Sequence, residues 1–286
     1  MSSGRPLGSV LLAGDTHFVP GLTNSGYVDG LLIDTGPECE TYAGARVDTL
    51  VITHGHADHF SAGASVRDTG ARVYASRDDA RLVEKPEVNV RGMFSWARPG
   101  DLMVTKLFLG TPCPVDGLLE EWHDERAIAI PLYGHTLGHH GFLTRDGVMF
   151  SGDALYQEAI WERHPLPYAI DPRGVTDSLR AVDALDFEWL VPGHGEPCDH
   201  EFASRHIANH IARITDIEEF LLDELKTERT TEDAIALVSE KVGLSDNPAQ
   251  YWLAVTTVKG FLGDLLGRDD LEFFVRDHSG WWRTKG

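Results

Sequence analysis

Four side chains that can bind a divalent metal ion fall within the six residues His54-Gly55-His56-Ala57-Asp58-His59. They follow directly after residues 48–53, an apolar run typical of a buried strand. A loop at the end of such a strand exposes its side chains where ligands usually collect in layered α/β folds. Imidazole and carboxylate are zinc ligands, and the absence of a thiolate argues against a closed structural site. Burying these polar groups is costly unless something coordinates them, so the segment predicts a metal centre.

Three later polar residues stand at the same kind of position, just past an apolar strand and beside a glycine. They are His135 in Gly134-His135-Thr136, Asp153 in Ser151-Gly152-Asp153 and His194 in Pro192-Gly193-His194-Gly195. A glycine at such a point lets two backbones approach closely. Each residue alone is typical of a turn, but their recurrence in one order indicates a common site.

The ordered motifs HxHxDH, GHT, SGD and PGHG resemble the ligand set of the metallo-β-lactamase superfamily over about residues 9–200. The resemblance implies an α/β fold, the αβ/βα sandwich, with a two-metal site in the cleft between its sheets. It divides the ligands over two ions: His54, His56 and His135 on the first, Asp58, His59 and His194 on the second, with Asp153 bridging both. It also implies that Asp34, in the predicted strand at residues 30–36, supports the metal-binding loop.

The ligand types favour two divalent ions, and zinc in particular, because every ligand is a nitrogen or oxygen donor. Five neutral imidazoles and two carboxylates leave two such ions with about two units of surplus positive charge. A bridging water then loses a proton near neutral pH, because a bound metal lowers the pKa of water to about 7. The sequence thus predicts a binuclear zinc-dependent hydrolase whose bridging hydroxide attacks a carbonyl, while Asp58 orients the hydroxide and transfers its proton.

The residues around the ligands favour a small ester, thioester or lactone as substrate. The run GHTLGHH is similar to that of glyoxalase II-like thioesterases, which implies that His139 supports the site from behind; a hydrogen-bonded strand residue fits equally. Asp153 leads into ALYQEAIWE and not into the GCGR stretch of glyoxalase II, which counts against glutathione thioesters and an iron-dependent persulfide dioxygenase. Tyr156 lies three residues after Asp153, as in acyl-homoserine lactonases, which implies an oxyanion donor; packing beside the cleft is the alternative.

The elements that must position these residues are short strands alternating with helices. The predicted strands are residues 9–14, 25–28, 30–36, 48–53, 71–76, 127–135, 141–144, 148–153 and 187–194, with a tight turn at Asp29-Gly30 and an amphipathic helix at residues 173–185. This alternation predicts a sheet covered by helices.

Residues 1–200 are predicted to form the catalytic domain and residues 201–286, the tail, a small helical, winged-helix-like appendage. The tail has helical patterns at residues 204–225, from the Thr230 cap onward and at about residues 249–266, then a hairpin with a turn at Ser279-Gly280. Its apolar residues pack either onto the sandwich or onto a second subunit, which leaves a homodimer open.

Residues 84–120, the excursion, interrupt the catalytic domain with four prolines and no sustained periodicity. We expect a partly helical segment near the cleft. Its apolar residues Met93, Phe94, Trp96 and residues 107–109 form either a wall over the cleft or a dimer contact.

The charge of the chain restricts its partners. Forty-five acidic and 25 basic residues give a net charge of −20, which repels phosphate backbones and anionic lipid. We therefore expect a small-molecule substrate, no nucleic acid and no membrane partner. The tail resembles the C-terminal region of a nuclease-like phosphodiesterase, but the negative charge disfavours that function. Cys39, Cys113 and Cys198 form no CxxC pair, which is typical of a reducing compartment. With no signal peptide or apolar span of about 18 residues, we expect a cytoplasmic protein.

Binding to duplex DNA or RNA is expected to be undetectable at physiological salt and micromolar protein, because the net charge of −20 opposes phosphate contact. A gel-shift titration measures this. A shift in the micromolar range that strengthens as the salt concentration is lowered would contradict the expectation.

Overall fold

Two β-sheets facing each other form the centre of the computed structural model, which describes residues 4–100 and 106–285. The first sheet runs in chain order through β1 (Val10–Ala13), β2 (Thr16–Val19), β3 (Ser25–Val28), β4 (Leu31–Ile33), β5 (Thr49–Val51), β6 (Arg72–Ala75) and β7 (Gly117–Leu118). The second sheet runs through β8 (Ala127–Pro131), β9 (His140–Thr144), β10 (Val148–Gly152), β11 (Trp189–Pro192) and β12 (Cys198–Asp199).

Helices pack on the outer faces of these sheets and form the tail. In chain order they are α1 (Cys39–Tyr42), α2 (Gly63–Arg67), α3 (Ala80–Glu84), α4 (Glu87–Met93), α5 (Lys106–Leu109), α6 (Glu158–Trp161), α7 (Pro172–Asp183), α8 (His200–Glu224), α9 (Thr231–Val242) and α10 (Pro248–Gly267). Asp171 caps α7 and Asp199 caps α8, each accepting a backbone N–H of the first turn at 3.0 and 2.9 Å.

The strand that precedes the first four predicted ligands, β5, is parallel to both of its neighbours and has buried residues on both faces. β5 lies between β4 and β6, with Leu50 opposite Leu32 and Val73. Side chains of one face, such as Val51, meet Phe142 of the second sheet in the core between the sheets. Those of the other face pack under α1, α2 and α3. Apolar residues on both faces are what a central parallel strand requires, and the predicted αβ/βα sandwich is confirmed.

The tail packs against the second sheet. Leu132 and Met149 of the sandwich share one apolar cluster with Ile214 of α8 and Leu262 of α10. The apolar face of the tail is therefore covered by the sandwich of the same chain. The division of the chain at residue 200 stays a prediction.

The hairpin that ends the tail differs from its prediction at the turn. β14 (Leu271–Arg276) pairs with β15 (Ser279–Thr284), and Arg276 lies opposite Ser279, so Ser279 and Gly280 belong to the strand. The turn is Asp277-His278, both with left-handed backbone at φ 51° and 63°. Asp and His tolerate that conformation better than most residues. The Trp282 indole N–H, which donates to Thr231 Oγ1 at 2.9 Å, helps to set this register, with the short strand β13 (Arg229–Thr230) paired alongside β15.

The excursion is partly helical, as predicted, and it packs on the tail. Met93 of α4 and Phe108 of α5 lie in one apolar cluster with Leu253 of α10. Phe94 packs on Trp252 with ring centroids 4.5 Å apart, whereas Trp96 is 69% exposed. The side chain of Leu107 lies outside the described residues. Among the helices that the structure describes, none is long and apolar enough to cross a membrane.

Candidate metal centre

The structure brings all the predicted ligands together at one edge of the sandwich. Those from the first sheet follow β5, in the loop and the short 3₁₀ turn Ala57–His59; those from the second sheet follow β8, β10 and β11. By sheet they are His54, His56, Asp58 and His59 from the first, and His135, Asp153 and His194 from the second. The centre therefore spans the cleft, with ligands from both sheets.

Three imidazoles form the first group of ligands. His56 Nδ1 lies 3.0 Å from His54 Nε2 and 2.9 Å from His135 Nε2. Burial and repulsion from His56 lower the pKa of His135 to about 3, and burial together with the neighbouring imidazoles holds the pKa of His54 well below its ordinary value. These rings are therefore neutral at physiological pH, the form in which imidazole coordinates a metal ion.

The second group joins imidazoles to carboxylates. His194 Nε2 lies 3.2 Å from Asp58 Oδ2, and His59 Nε2 lies 3.2 Å from Asp153 Oδ1. Burial alone would lower the pKa of His194, but Asp153 and Asp58 outweigh it and raise that pKa to about 9. The pKa of His59 is raised well above its ordinary value in the same way, against burial, by Asp153, Asp34 and Asp58. This group thus favours positive charge where the first disfavours it.

Asp153 stands between the two groups. Its Oδ2 lies 3.7 Å from His135 Nε2 and 3.6 Å from His194 Nε2. Its Oδ1 and the facing His59 Nε2 are both buried and lie 3.2 Å apart, yet neither takes part in a well-aligned hydrogen bond. Unpaired buried polar atoms are rare because each forfeits its interaction with water. A cation coordinated by both atoms satisfies them, so the residues present fit divalent metal ions.

A buried carboxylate behind the centre sets the orientation of the metal-binding loop. Asp34, which has left-handed backbone at φ 57°, accepts the Thr53 backbone N–H and hydroxyl, each at 2.7 Å, and His59 Nδ1–H at 2.8 Å. Because Nδ1 donates to Asp34, Nε2 is the nitrogen of His59 that can coordinate a metal ion, once its proton is displaced. The supporting role that the resemblance implies for Asp34 matches these contacts.

Further hydrogen bonds orient the ligands from the second sheet. His135 Nδ1 lies 3.3 Å from Tyr168 O and His194 Nδ1 lies 2.8 Å from Leu22 O, which leaves Nε2 of each ring facing the centre. His139 Nε2 accepts the Asp153 backbone N–H at 3.1 Å. His139 thus supports a ligand from behind, the first of the two alternatives for this residue.

Glycines next to the ligands allow the close approach that the sequence suggested. A Cβ on Gly193 would overlap Asp153 Oδ1 and approach His59 Cε1 to 2.8 Å. A Cβ on Gly152, whose φ is 51°, would lie 2.7 Å from His139 Nε2. No side chain fits at either position while Asp153 stays in place.

Asp79 is a supporting residue that the sequence analysis missed. Its side chain, in the segment after β6, accepts the Gly55 N–H at 2.9 Å, the Thr136 hydroxyl at 2.5 Å and the Gly138 N–H at 3.0 Å. It therefore ties the loop of His54 and His56 to the loop of His135. The sequence shows an acidic residue shortly after a strand, which could have pointed to Asp79. The neighbouring Asp78 occupies the same kind of position, so the sequence does not distinguish the two.

A cavity of about 530 Å³ opens against the centre, and His56, Asp58, Asp153 and His194 form part of its lining. The side chains of Asp58 and His194 are each 22% exposed, so the centre is accessible from this side. Tyr156 lines the same cavity, with its hydroxyl 3.4 Å from His135 Nδ1 and its ring stacked on His210 at 5.6 Å between centroids.

Comparison with known protein families identifies the class of protein to which this fold and this centre belong. The family model of the metallo-beta-lactamase superfamily matches residues 19–194, more than half of the chain. The protein belongs to the metallo-beta-lactamase superfamily, whose members are generally metal-dependent hydrolases.

Individual relatives are more distant. A hydroxyacylglutathione hydrolase of Photobacterium profundum is 27% identical over 57% of this chain and 51% of its own length, so the chain spans about half of that relative. A beta-lactamase-like protein 2 homolog of Drosophila melanogaster is 25% identical over 78% of this chain and 73% of its own length.

Solved structures resemble the fold over nearly the whole chain, tail included. A metallo-beta-lactamase family protein of Thermus thermophilus has a TM-score of 0.62 at 17% identity and covers 96% of this chain and 97% of its own. A beta-lactamase domain protein of Burkholderia ambifaria has a TM-score of 0.67 at 14% identity and covers 99% and 97%. At these identities the likeness shows the fold alone.

Zinc added to the metal-free protein at pH 7.5 is expected to release about two protons per chain from imidazole, in addition to the proton of a coordinated water, because His59 and His194 hold protons that a coordinated imidazole gives up. The raised pKa fixes the sign: the release from His194 disappears as the pH rises past about 9. Calorimetry in buffers of different ionisation enthalpy measures the protons. His194→Gln should release about one fewer, and a binding enthalpy independent of the buffer would refute this assignment.

Proposed function

We propose that the protein is a binuclear zinc-dependent hydrolase that acts on the carbonyl of an ester, thioester or lactone. The observation that carries the proposal is the pair of ligand groups facing Asp153 beside an accessible cavity, with His59 Nε2 and Asp153 Oδ1 buried 3.2 Å apart and without a well-aligned hydrogen bond. Two ions bound there would lower the pKa of a coordinated water and polarise the carbonyl under attack.

Asp58 is the residue to which we assign proton transfer. Burial raises its pKa, but His59 and His194 outweigh burial and hold that pKa well below the ordinary value, so the group is ionised at neutral pH. Its Oδ2 accepts the Thr23 hydroxyl at 3.2 Å, which fixes the carboxylate at the cavity wall. Hydrolysis forms a C–O bond from water and breaks the C–O or C–S bond to the leaving group. Asp58 takes the water proton and passes it to that leaving group.

A carbonyl substrate is favoured over a phosphodiester. The relative named hydroxyacylglutathione hydrolase supports a thioester, though it matches only part of this chain. The net charge of −20 opposes a polyanionic substrate. Zinc is proposed because the donors are imidazole nitrogen and carboxylate oxygen.

Tyr156 is the residue to which we assign stabilisation of the oxyanion. Burial and the nearby Asp153 carboxylate hold the pKa of Tyr156 well above its ordinary value, so its hydroxyl stays protonated and can donate. The hydroxyl belongs to the cavity lining beside His135, next to the first ligand group. Negative charge that collects on one carbonyl oxygen during attack would be stabilised by this donor.

Replacing one ligand is expected to remove metal and activity together. His56→Ala and Asp153→Ala should each lower the metal content from about two ions per chain and abolish ester or thioester hydrolysis, because each deletes a coordinating atom. Elemental analysis of the purified variants measures the metal. His123→Ala, at an exposed histidine outside the centre, is the matched control. Full activity of metal-free protein would rule out the proposed function.

Tyr156→Phe is expected to lower turnover about a hundredfold while leaving both metal ions bound, since it removes one donor to the developing charge. The Michaelis constant should change less, because the bond strengthens mainly in the transition state. Tyr168→Phe, another tyrosine of the same cavity, is the control and should stay within about threefold of wild type. Unchanged turnover in Tyr156→Phe would leave that ring with a packing role only.

A further inference from the structure

The cavity at the metal centre extends far beyond the ligands. Asp153 and His56 lie at one end, and the remaining wall comes from segments distant in the sequence: the excursion, residues 159–168 and the tail. Met93 of α4 and Leu253 of α10 both line this space, although they are far apart in the sequence. Its volume of about 530 Å³ lies within the range of pockets that enclose a whole small molecule.

The wall away from the metal centre is mainly apolar. Its apolar residues come from all three segments and are Met93, Phe108, Ile160, Leu166, Leu244 and Leu253. Met93 and Phe108 are held by packing on Leu253 and Val90, so this surface is a fixed part of the fold and not a loose loop. An apolar concave surface gains free energy when it covers hydrocarbon, at about 25 cal/mol per Å².

Few polar groups of this wall are free to bind a charged ligand. Gln250 already donates to Arg163 O at 3.0 Å and accepts the Ser245 hydroxyl at 3.0 Å. In the described part of the chain, Arg163 and His164 are the lining residues beyond the metal centre that can bear positive charge, and both are exposed to solvent. A substrate with several anionic groups, such as a peptide-like thiol, could pair them with these two exposed residues alone, and any further charged group on the apolar wall would be buried without a partner.

We propose that this cavity binds the acyl chain of the substrate, so that the enzyme prefers thioesters or esters with an unbranched hydrocarbon acyl group of medium length. The inference rests on the proposed hydrolase function and adds its substrate class. With the carbonyl at Asp153 and His56, the chain extends along the apolar wall that Met93 and Leu253 form together. The excursion and the tail together then determine specificity, and a short acyl group leaves the far wall unfilled.

The test is a series of acyl N-acetylcysteamine thioesters from two to twelve carbons, assayed with the metal-loaded protein. We expect kcat/KM to rise about fourfold per added methylene until the cavity is full, the gain for moving one methylene from water into an apolar site. Leu253→Asn, which keeps the branching and the number of side-chain heavy atoms but makes the side chain polar, should lower the ratio of octanoyl to acetyl rates about tenfold. Leu266→Asn, on the same helix but exposed and outside the cavity, should leave that ratio unchanged.

A second variant and a binding measurement protect the test against misfolding and inactivity. Ala159→Trp fills the cavity from an exposed position and should lower the ratio of octanoyl to acetyl rates to about one. Calorimetry with dodecanoate should show binding to wild type and about tenfold weaker binding to Leu253→Asn.

The outcomes separate the two proposals. Cleavage of thioesters at one rate regardless of chain length, with no effect of Leu253→Asn, would overturn the acyl-chain proposal and leave the hydrolase standing. Dodecanoate binding that weakens in Leu253→Asn, with no thioester and none of the matching esters or lactones cleaved, would uphold the pocket and overturn the proposed reaction. If the wild-type protein neither binds dodecanoate nor prefers longer acyl chains, the acyl-chain proposal is wrong.

Discussion

Two carboxylates, Asp58 and Asp153, are held against the imidazoles of the centre at 3.2–3.7 Å, and much of the fold exists to maintain that arrangement. So many ionisable groups in one buried place destabilise one another unless a cation is shared among them. Hydrogen bonds and close backbone packing hold these ionisable groups in place. Asp34 and Asp79 fix the loop after β5 through backbone N–H groups, and glycine at position 193 removes the side chain that would displace Asp153.

The ligands could be predicted because their information is local. Each stands directly after an apolar strand, and such loops end at the same edge of a sheet, so a linear pattern implies a spatial cluster. The supporting atoms could not be predicted in this way. The Leu22 carbonyl that holds His194 is 172 residues away in the chain, and a backbone carbonyl has no sequence signature. Asp79 has a side chain that sequence shows, but only tertiary contact distinguishes it from Asp78.

The fold could likewise be predicted in part from the sequence. Long apolar runs identified β5 and β10 with their neighbours, but β2 was missed because Thr16–Val19 is short and contains two polar residues. The position of the last turn was wrong because Ser279-Gly280 is a common turn dipeptide, whereas strand pairing placed the turn at Asp277-His278. Pairing partners outweigh local preference where aromatic side chains of the two strands pack on each other, as Phe273 and Trp282 do here with ring centroids 4.7 Å apart.

Because the centre takes ligands from both sheets, it has consequences for how the chain acquires its metal. Residues 54–59 are synthesised before the other ligands, Asp153 and His194 come about 100 and 140 residues later, and the three parts join only when the sheets have docked. A nascent chain thus offers only an incomplete chelator, and high-affinity uptake becomes one of the last events of folding. Bound ions would then act as clamps across the cleft, so metal retention reports whether the two halves of the sandwich are correctly assembled.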